Sequence, residues 1–176
     1  MMKNIYHEFW EQELASQFYS VDRSKCKAYI CSPLGAETEG GFISNMFTAR
    51  AYMYYAMKQM QMYASAPHAY LPMLLSDKTP SDRALGLDFG LRLLSQCDIL
   101  LVCGNRITKG MKDEIERAII LRMPVVVFDE GVYWEVEKII SRLGGDKRNL
   151  KLDKEHVVMA MTTPVTYMKN AEMFHE

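Results

Sequence analysis

"DILLVCGNRITKGMKDEIERAIILRMPVVVF", Asp98–Phe128, carries the pattern from which the fold follows. Neither "DILLVC" nor "PVVVF" alternates apolar with polar residues, so each reads as a strand covered on both faces. Between them lie the loop "GNRIT" and a stretch of helical period. Strand, helix and strand joined by short connections favour a parallel sheet. Steps of 100° put Met111, Ile115, Ala118, Ile119 and Leu121 on one apolar arc of the helix. Lys112, Asp113, Glu116 and Arg117 fall outside it, and the spacing predicts the surface pairs Lys112–Glu116 and Asp113–Arg117. Glu114 falls inside the arc. A carboxylate on the buried side of a helix is costly unless something satisfies or uses it.

Outward from this unit the alternation continues. Upstream, "KAYICSP" reads as a buried strand ending at Ser32, followed by the loop "PLGAETEGG" and a Met- and Tyr-rich helix from about Ile43 to Ala64. Its methionines read as packing material. "APHAYLPMLL" is a weaker strand, interrupted by Pro72 and therefore short or at an edge. "TPSDRALGLDFGLRLLSQ" announces a helix with Thr79 as N-cap, Pro80 in first position and Asp82 reaching back as in a capping box. It is apolar nearly all round, which implies burial except for a strip with Asp88, Arg92 and Ser95. Downstream come a helix through "VYWEVEKIISRLG" and a last strand, "HVVMAM". The expected fold is α/β, doubly wound and flavodoxin- or Rossmann-like, with a five-stranded parallel sheet in the order 2-1-3-4-5. Residues 1–24 have apolar side chains at 5, 9, 10, 14 and 18 and read as an extra N-terminal helix. Residues 25–163 form the α/β domain and 164–176 a tail.

Composition narrows the function classes. The 176 residues are 49% hydrophobic with a net charge of -1, and Lys and Arg are scattered among matching acids. Nucleic acid is therefore excluded as the expected partner. No run of 18 apolar residues suggests a membrane span, and "MMKNIYHEFWEQEL" lacks the apolar core of a signal peptide, so a cytoplasmic protein is expected. Cys26, Cys31, Cys97 and Cys103 form no C-x-x-C pair and the four histidines lie far apart. Reduced thiols are expected, with no metal and no cofactor.

In the order 2-1-3-4-5 the first and third strands are neighbours whose following helices go to opposite faces, leaving a crevice at their carboxyl ends. Its bordering loops are "SPLGAETEGG" and "CGNRITKG", and Glu114 lies one turn into the helix that leaves the second. A carboxylate there can serve as nucleophile, general base, metal ligand or helix N-terminal charge. Asp88 is a second candidate, set against an i,i+4 pair with Arg92. Tyr29 can project a hydroxyl beside the crevice or sit as a core tyrosine. The candidate substrate contacts are Ser32, Pro33, Gly35, Ser44, Gly104, Thr108, Gly110 and Met111, with His68 from a nearby loop, where a structural hydrogen bond is the plainer role. Gly35, Gly40 and Gly41 match neither phosphate-loop spacing, but a helix beginning near Ile43 offers N–H groups to an anion, with Ser32 and Ser44 as helpers.

"YICSP", "APHAYLP", "LGLDFGL", "CDILLV" and "ITKGMKDEIERAIILRMPVVV" resemble, in that order, the nucleoside 2-deoxyribosyltransferase-like superfamily over about residues 27 to 129. The most specific element is G-x-x-x-E-x-x-x-A, here Gly110, Glu114 and Ala118. The resemblance implies that Glu114 is a nucleophile, that Tyr29 orients it and that Asp88 contacts the nucleobase and assists its departure. Two positions depart from the pattern: Thr108 stands where an aspartate often contacts substrate, and Glu116 replaces a frequent glycine. The implied activity is N-glycosidase or deoxyribosyltransferase action on a nucleoside or nucleotide, with any 5'-phosphate against the loop from Ser32 to Ser44. A homo-oligomer is implied too, because relatives often complete their pockets with a neighbouring subunit. A non-catalytic nucleotide-binding module of the same fold is the alternative, and a structural or assembly role for the Met- and Tyr-rich helix the third.

Overall fold

The computed structural model describes residues 26–153. Among them five strands alternate with four helices: β1 (Lys27–Cys31), α1 (Glu39–Lys58), β2 (Tyr63–Ser65), α2 (Pro80–Leu94), β3 (Ile99–Val102), α3 (Lys109–Ile120), β4 (Val125–Val127), α4 (Glu130–Leu143) and β5 (Leu150–Leu152). Two 3₁₀ turns, Pro67–Ala69 and Leu71–Met73, connect β2 to α2. The strands form one sheet in the order β2-β1-β3-β4-β5, and every pairing is parallel. This is the doubly wound α/β fold.

Alternation along the strands sorts the core into two layers. Ala28, Ile30, Ile99, Leu101, Val126 and Phe128 face one side, where Ala49, Tyr52, Tyr55 and Ala56 of α1 cover them. Tyr29, Cys31, Leu100, Val102, Val125 and Val127 face the other, under Leu94 of α2, Met111, Ile115 and Ala118 of α3, and Val132, Val136 and Ile140 of α4. The helices after β1 and β3 thus lie on opposite faces, but the loops after those strands meet at Pro33 and Gly104 instead of leaving the expected crevice between them.

Several expected boundaries move for local reasons. The helix after β1 starts at Glu39, because the Thr38 hydroxyl accepts the Gly41 N–H at 3.1 Å. It ends at Lys58, and the backbone turns left-handed at Gln61, φ 55°. The second strand is Tyr63–Ser65 at the sheet edge, not Ala66–Leu75, where Pro67 and Pro72 stand in the first two positions of 3₁₀ turns. The fifth strand is Leu150–Leu152; "HVVMAM", the N-terminal helix and the C-terminal tail lie outside the described residues.

Helix α2 departs most from expectation. Only Gly90 and Leu94 are buried, while Leu85 is 57% and Phe89 40% exposed. An apolar circumference does not bury a helix that rests on α3 and the sheet by one narrow face. The Thr79 side chain makes no capping bond, and Asp82 instead accepts the Ser76 N–H at 3.0 Å. On α3 the expected surface pairs give way to tertiary partners: Glu116 binds Arg142 of α4, and the Arg117 guanidinium donates to the Ser95 hydroxyl at 3.4 Å.

Candidate functional site

Tyr29, in the middle of β1, is fully buried, with its ring on the α2 and α3 side of the sheet. Strand pairing on both sides fixes its backbone opposite Ser65 and Leu100. Its hydroxyl donates to Glu114 Oε1 at 2.6 Å, joining residues 85 positions apart. Glu114 rides on α3, whose start is set by the Thr108 hydroxyl accepting the Met111 N–H at 3.3 Å. It is 7% exposed. One carboxylate oxygen is held, while Oε2 has no hydrogen-bond partner. A buried polar atom left unpaired costs about 1–3 kcal/mol, so its persistence calls for an explanation in use.

Above this pair lies a shallow crevice open to solvent. Tyr29 and Glu114 contribute to its lining, with Leu34 from the loop after β1. Pro67, His68, Leu71 and Pro72 of the 3₁₀ turns form one wall; Asp82, Arg83, Gly86, Leu87 and Gly90 of α2 form the other. The His68 ring is fixed by its Nδ1, 2.6 Å from the Ser32 carbonyl oxygen. A carbonyl only accepts, so Nδ1 carries a proton. At the rim Arg83 is paired with both oxygens of Asp77, at 2.7 and 2.8 Å.

The electrostatics centre on Glu114. Burial raises its carboxyl above the ordinary value of 4.5; the charge of His68, the Tyr29 hydrogen bond and the nearby Cys31 thiol, whose own hydrogen bond goes to the Met111 carbonyl, pull it down, and Asp113 pushes it up. Burial, then the Glu114 charge, drive the Tyr29 phenol well above its ordinary range. Tyr29 therefore stays a donor, and its bond favours the carboxylate form of Glu114. Burial and the same carboxylate likewise raise the Cys31 thiol.

Of the residues singled out in sequence, Tyr29, Glu114 and His68 share the crevice. Asp88 does not. It faces solvent in an ion pair with Arg92 at 2.7 Å, its side chain 56% exposed. Ser32 supplies its carbonyl to His68, and its own buried hydroxyl has no partner. Pro33 packs on Gly104: a Cβ on that glycine, at φ +93°, would lie 2.9 Å from Pro33 Cδ. Those two residues bring the loops after β1 and β3 together. Met111 is buried, and Gly110 leaves room for Leu87 3.7 Å from where a Cβ would stand. Ser44 is exposed, five residues into α1, and Gly35 is exposed with its carbonyl accepting from Arg106 at 2.7 Å. The stretch from Gly35 to Ser44 contributes no wall to the crevice.

Gly90 escaped the sequence reading. A Cβ there would stand 2.9 Å from the Tyr29 hydroxyl and 3.6 Å from Glu114 Oε1. Only a bare backbone lets α2 close over the pair. The signal was present: Gly86 and Gly90, four apart inside a helical pattern, place two gaps on one helix face.

A family model described as Domain of unknown function (DUF7768) matches residues 26–128. The chain belongs to this family. The DUF7768 match runs from just before β1 to just after β4, and so contains Tyr29, His68, Gly90 and Glu114. No curated protein matches the chain. Among the described residues no group of three His, Cys, Asp or Glu side chains is placed to hold a metal ion, and no helix is long and apolar enough to cross a membrane.

Proposed function

We propose that this protein is a nucleoside or nucleotide N-glycosidase, or a deoxyribosyltransferase-like enzyme, that cleaves an N-glycosidic bond with Glu114 as nucleophile. The observation that carries the reading is the division of labour within one carboxylate. Oε1 is tied to Tyr29, while Oε2, buried beside a crevice, has no partner. An unpartnered, desolvated oxygen beside an open crevice suits attack on an anomeric carbon. Tyr29 orients the group and favours its ionised form.

Glu114 attacks through an oxocarbenium-like transition state, the bond to the base breaks, and a glycosyl-enzyme ester forms. Water, or a second base, then attacks the same carbon and frees the carboxylate. The resemblance to the nucleoside 2-deoxyribosyltransferase-like superfamily supports the role of Glu114. Asp88, salt-bridged away from the crevice, has no part in this proposal as a leaving-group acid. The loop from Ser32 to Ser44 lends a 5'-phosphate no contact in this reading, because of its residues only Leu34 lies on the crevice wall.

That outward turn of Asp88, with Thr108 spent on capping α3, favours a second reading: a nucleotide-binding module without turnover. Deoxynucleosides, ribonucleosides and their monophosphates, incubated with the protein and resolved by chromatography, distinguish the two. The enzyme reading expects free base, reduced about 10⁴-fold or more in both Glu114→Ala and Glu114→Gln. Ligand-dependent thermal stabilisation with no free base would leave the binding module.

A further inference from the structure

We propose that His68 is the proton-transfer residue of this crevice, with Nε2 protonating the departing base and then accepting a proton from the water that releases the sugar. The inference rests on the reading of Glu114 as nucleophile. Cleaving a neutral nucleoside leaves electrons on a ring nitrogen of the base, and departure is slow unless a proton arrives with them. An acid is therefore needed in the same crevice as the nucleophile, with a proton that no other bond occupies.

The side chains lining the crevice narrow the choice. The Asp82 carboxylate accepts the Ser76 N–H, and Asp77 holds Arg83 through both oxygens. The Tyr29 hydroxyl is committed to Glu114 Oε1, and burial and that carboxylate bind its proton too tightly for donation. Asp88 lies outside. His68 remains, and it is built into place from two directions. Its backbone belongs to the turn Pro67–Ala69, where Pro67 and Ala69 are buried and the Ala69 carbonyl accepts Arg50 Nε of α1 at 2.9 Å. Its ring is tethered through Nδ1 to the Ser32 carbonyl at the end of β1.

That tether fixes the tautomer. With Nδ1–H donating to a carbonyl, Nε2 is the nitrogen that gains and loses a proton, and it has no hydrogen-bond partner among the described residues. Two unpartnered atoms of complementary chemistry, Glu114 Oε2 and His68 Nε2, thus belong to side chains lining one crevice.

The proposed steps balance. As Glu114 Oε2 bonds to the anomeric carbon, the carbon–nitrogen bond breaks and its electron pair goes to the base, which takes the proton of His68 Nε2. In the second step neutral Nε2 removes a proton from water, the water oxygen bonds to the anomeric carbon, and the ester bond returns its electrons to Glu114. His68 ends protonated and ready for another cycle.

A pair of substrates isolates the proton transfer from binding and from folding. 2'-Deoxyguanosine and guanosine leave as a base that needs a proton; their N7-methylated cations leave as a neutral base that needs none. His68→Asn keeps an N–H near the position of Nδ1 for the Ser32 carbonyl and removes Nε2, and an unchanged Tm verifies the fold. Measured as the single-turnover rate of base release, which comes before the step in which Nε2 acts as base, this variant should lose about 10²–10⁴-fold on the unmethylated nucleosides, the usual worth of a general acid, and less than about tenfold on the methylated ones. His68→Gln, which replaces the ring by an amide on a longer arm, should show the same split. Glu114→Gln should lose both substrates alike. Equal losses on both substrates in the His68 variants, or none, would overturn the assignment and leave the N-glycosidase reading standing if turnover still requires Glu114. A wild-type protein that cleaves neither substrate would remove both.

Discussion

Glu114 and Asp88 stand on neighbouring helices that pack together, and the two sides of the crevice treat their carboxylates in opposite ways. On α3 the acid is 7% exposed and reaches across to the buried Tyr29 of β1. On α2 the acid turns outward and satisfies itself one turn along its own helix, with Arg92. Spacing within a helix is enough to foresee the second arrangement. The first depends on the sheet, which sets a tyrosine from 85 residues earlier under the helix. A group poised for chemistry is one that its own helix does not satisfy, and this separates the two acids better than their sequence motifs do.

Substitutions along that contrast have effects that decrease in order. Gly90→Ala should be the most damaging although alanine is the better helix former, because its Cβ would stand 2.9 Å from a buried hydroxyl that packing holds in place. A loss of about 2–3 kcal/mol, as overpacking costs in a tight core, is expected from urea unfolding. A stabilised variant would mean that α2 does not close over the Tyr29–Glu114 pair.

Glu114→Gln should act in the reverse direction. Burial raises the folded-state pKa of Glu114 above its unfolded value, so its contribution to stability is fully present below about pH 4.5 and is lost as the pH rises through the raised value. At pH 7 the glutamine variant should therefore melt about 2–4 °C higher, as a gain of about 1 kcal/mol produces in a domain of this size. Below the ordinary glutamate range the advantage should vanish. An advantage unchanged across that range would place its origin elsewhere than the charge.

Asp88→Asn closes the series with the smallest change. An exposed pair contributes at most about 0.5 kcal/mol, and both stability and base release should stay close to wild type. A large loss of base release in this variant would bring Asp88 back into the chemistry and erase the contrast.

What the sequence revealed follows the same line. "ILLV" and "VVV" announced central strands because cover on both faces demands unbroken apolar runs. β2 and β5 are three-residue edge strands, "YAS" and "LKL", with too little burial to leave a mark on composition. Glu114 was legible because a helix of strong amphipathic pattern makes one misplaced acid visible. Gly90 and the tether of His68 to Ser32 were not, since both depend on distances between segments far apart in the chain. The burial of α2 was misjudged because its composition is apolar on all sides, whereas the structure uses only the face with Gly90 and Leu94.

The nucleophilic role of Glu114 is tested most directly by mass. Protein quenched with acid during turnover of a nucleoside should carry one added glycosyl group, located by peptide mapping on Glu114 and absent from Glu114→Gln. Base release that continues with Glu114 unmodified, or undiminished in the glutamine variant, would contradict the account.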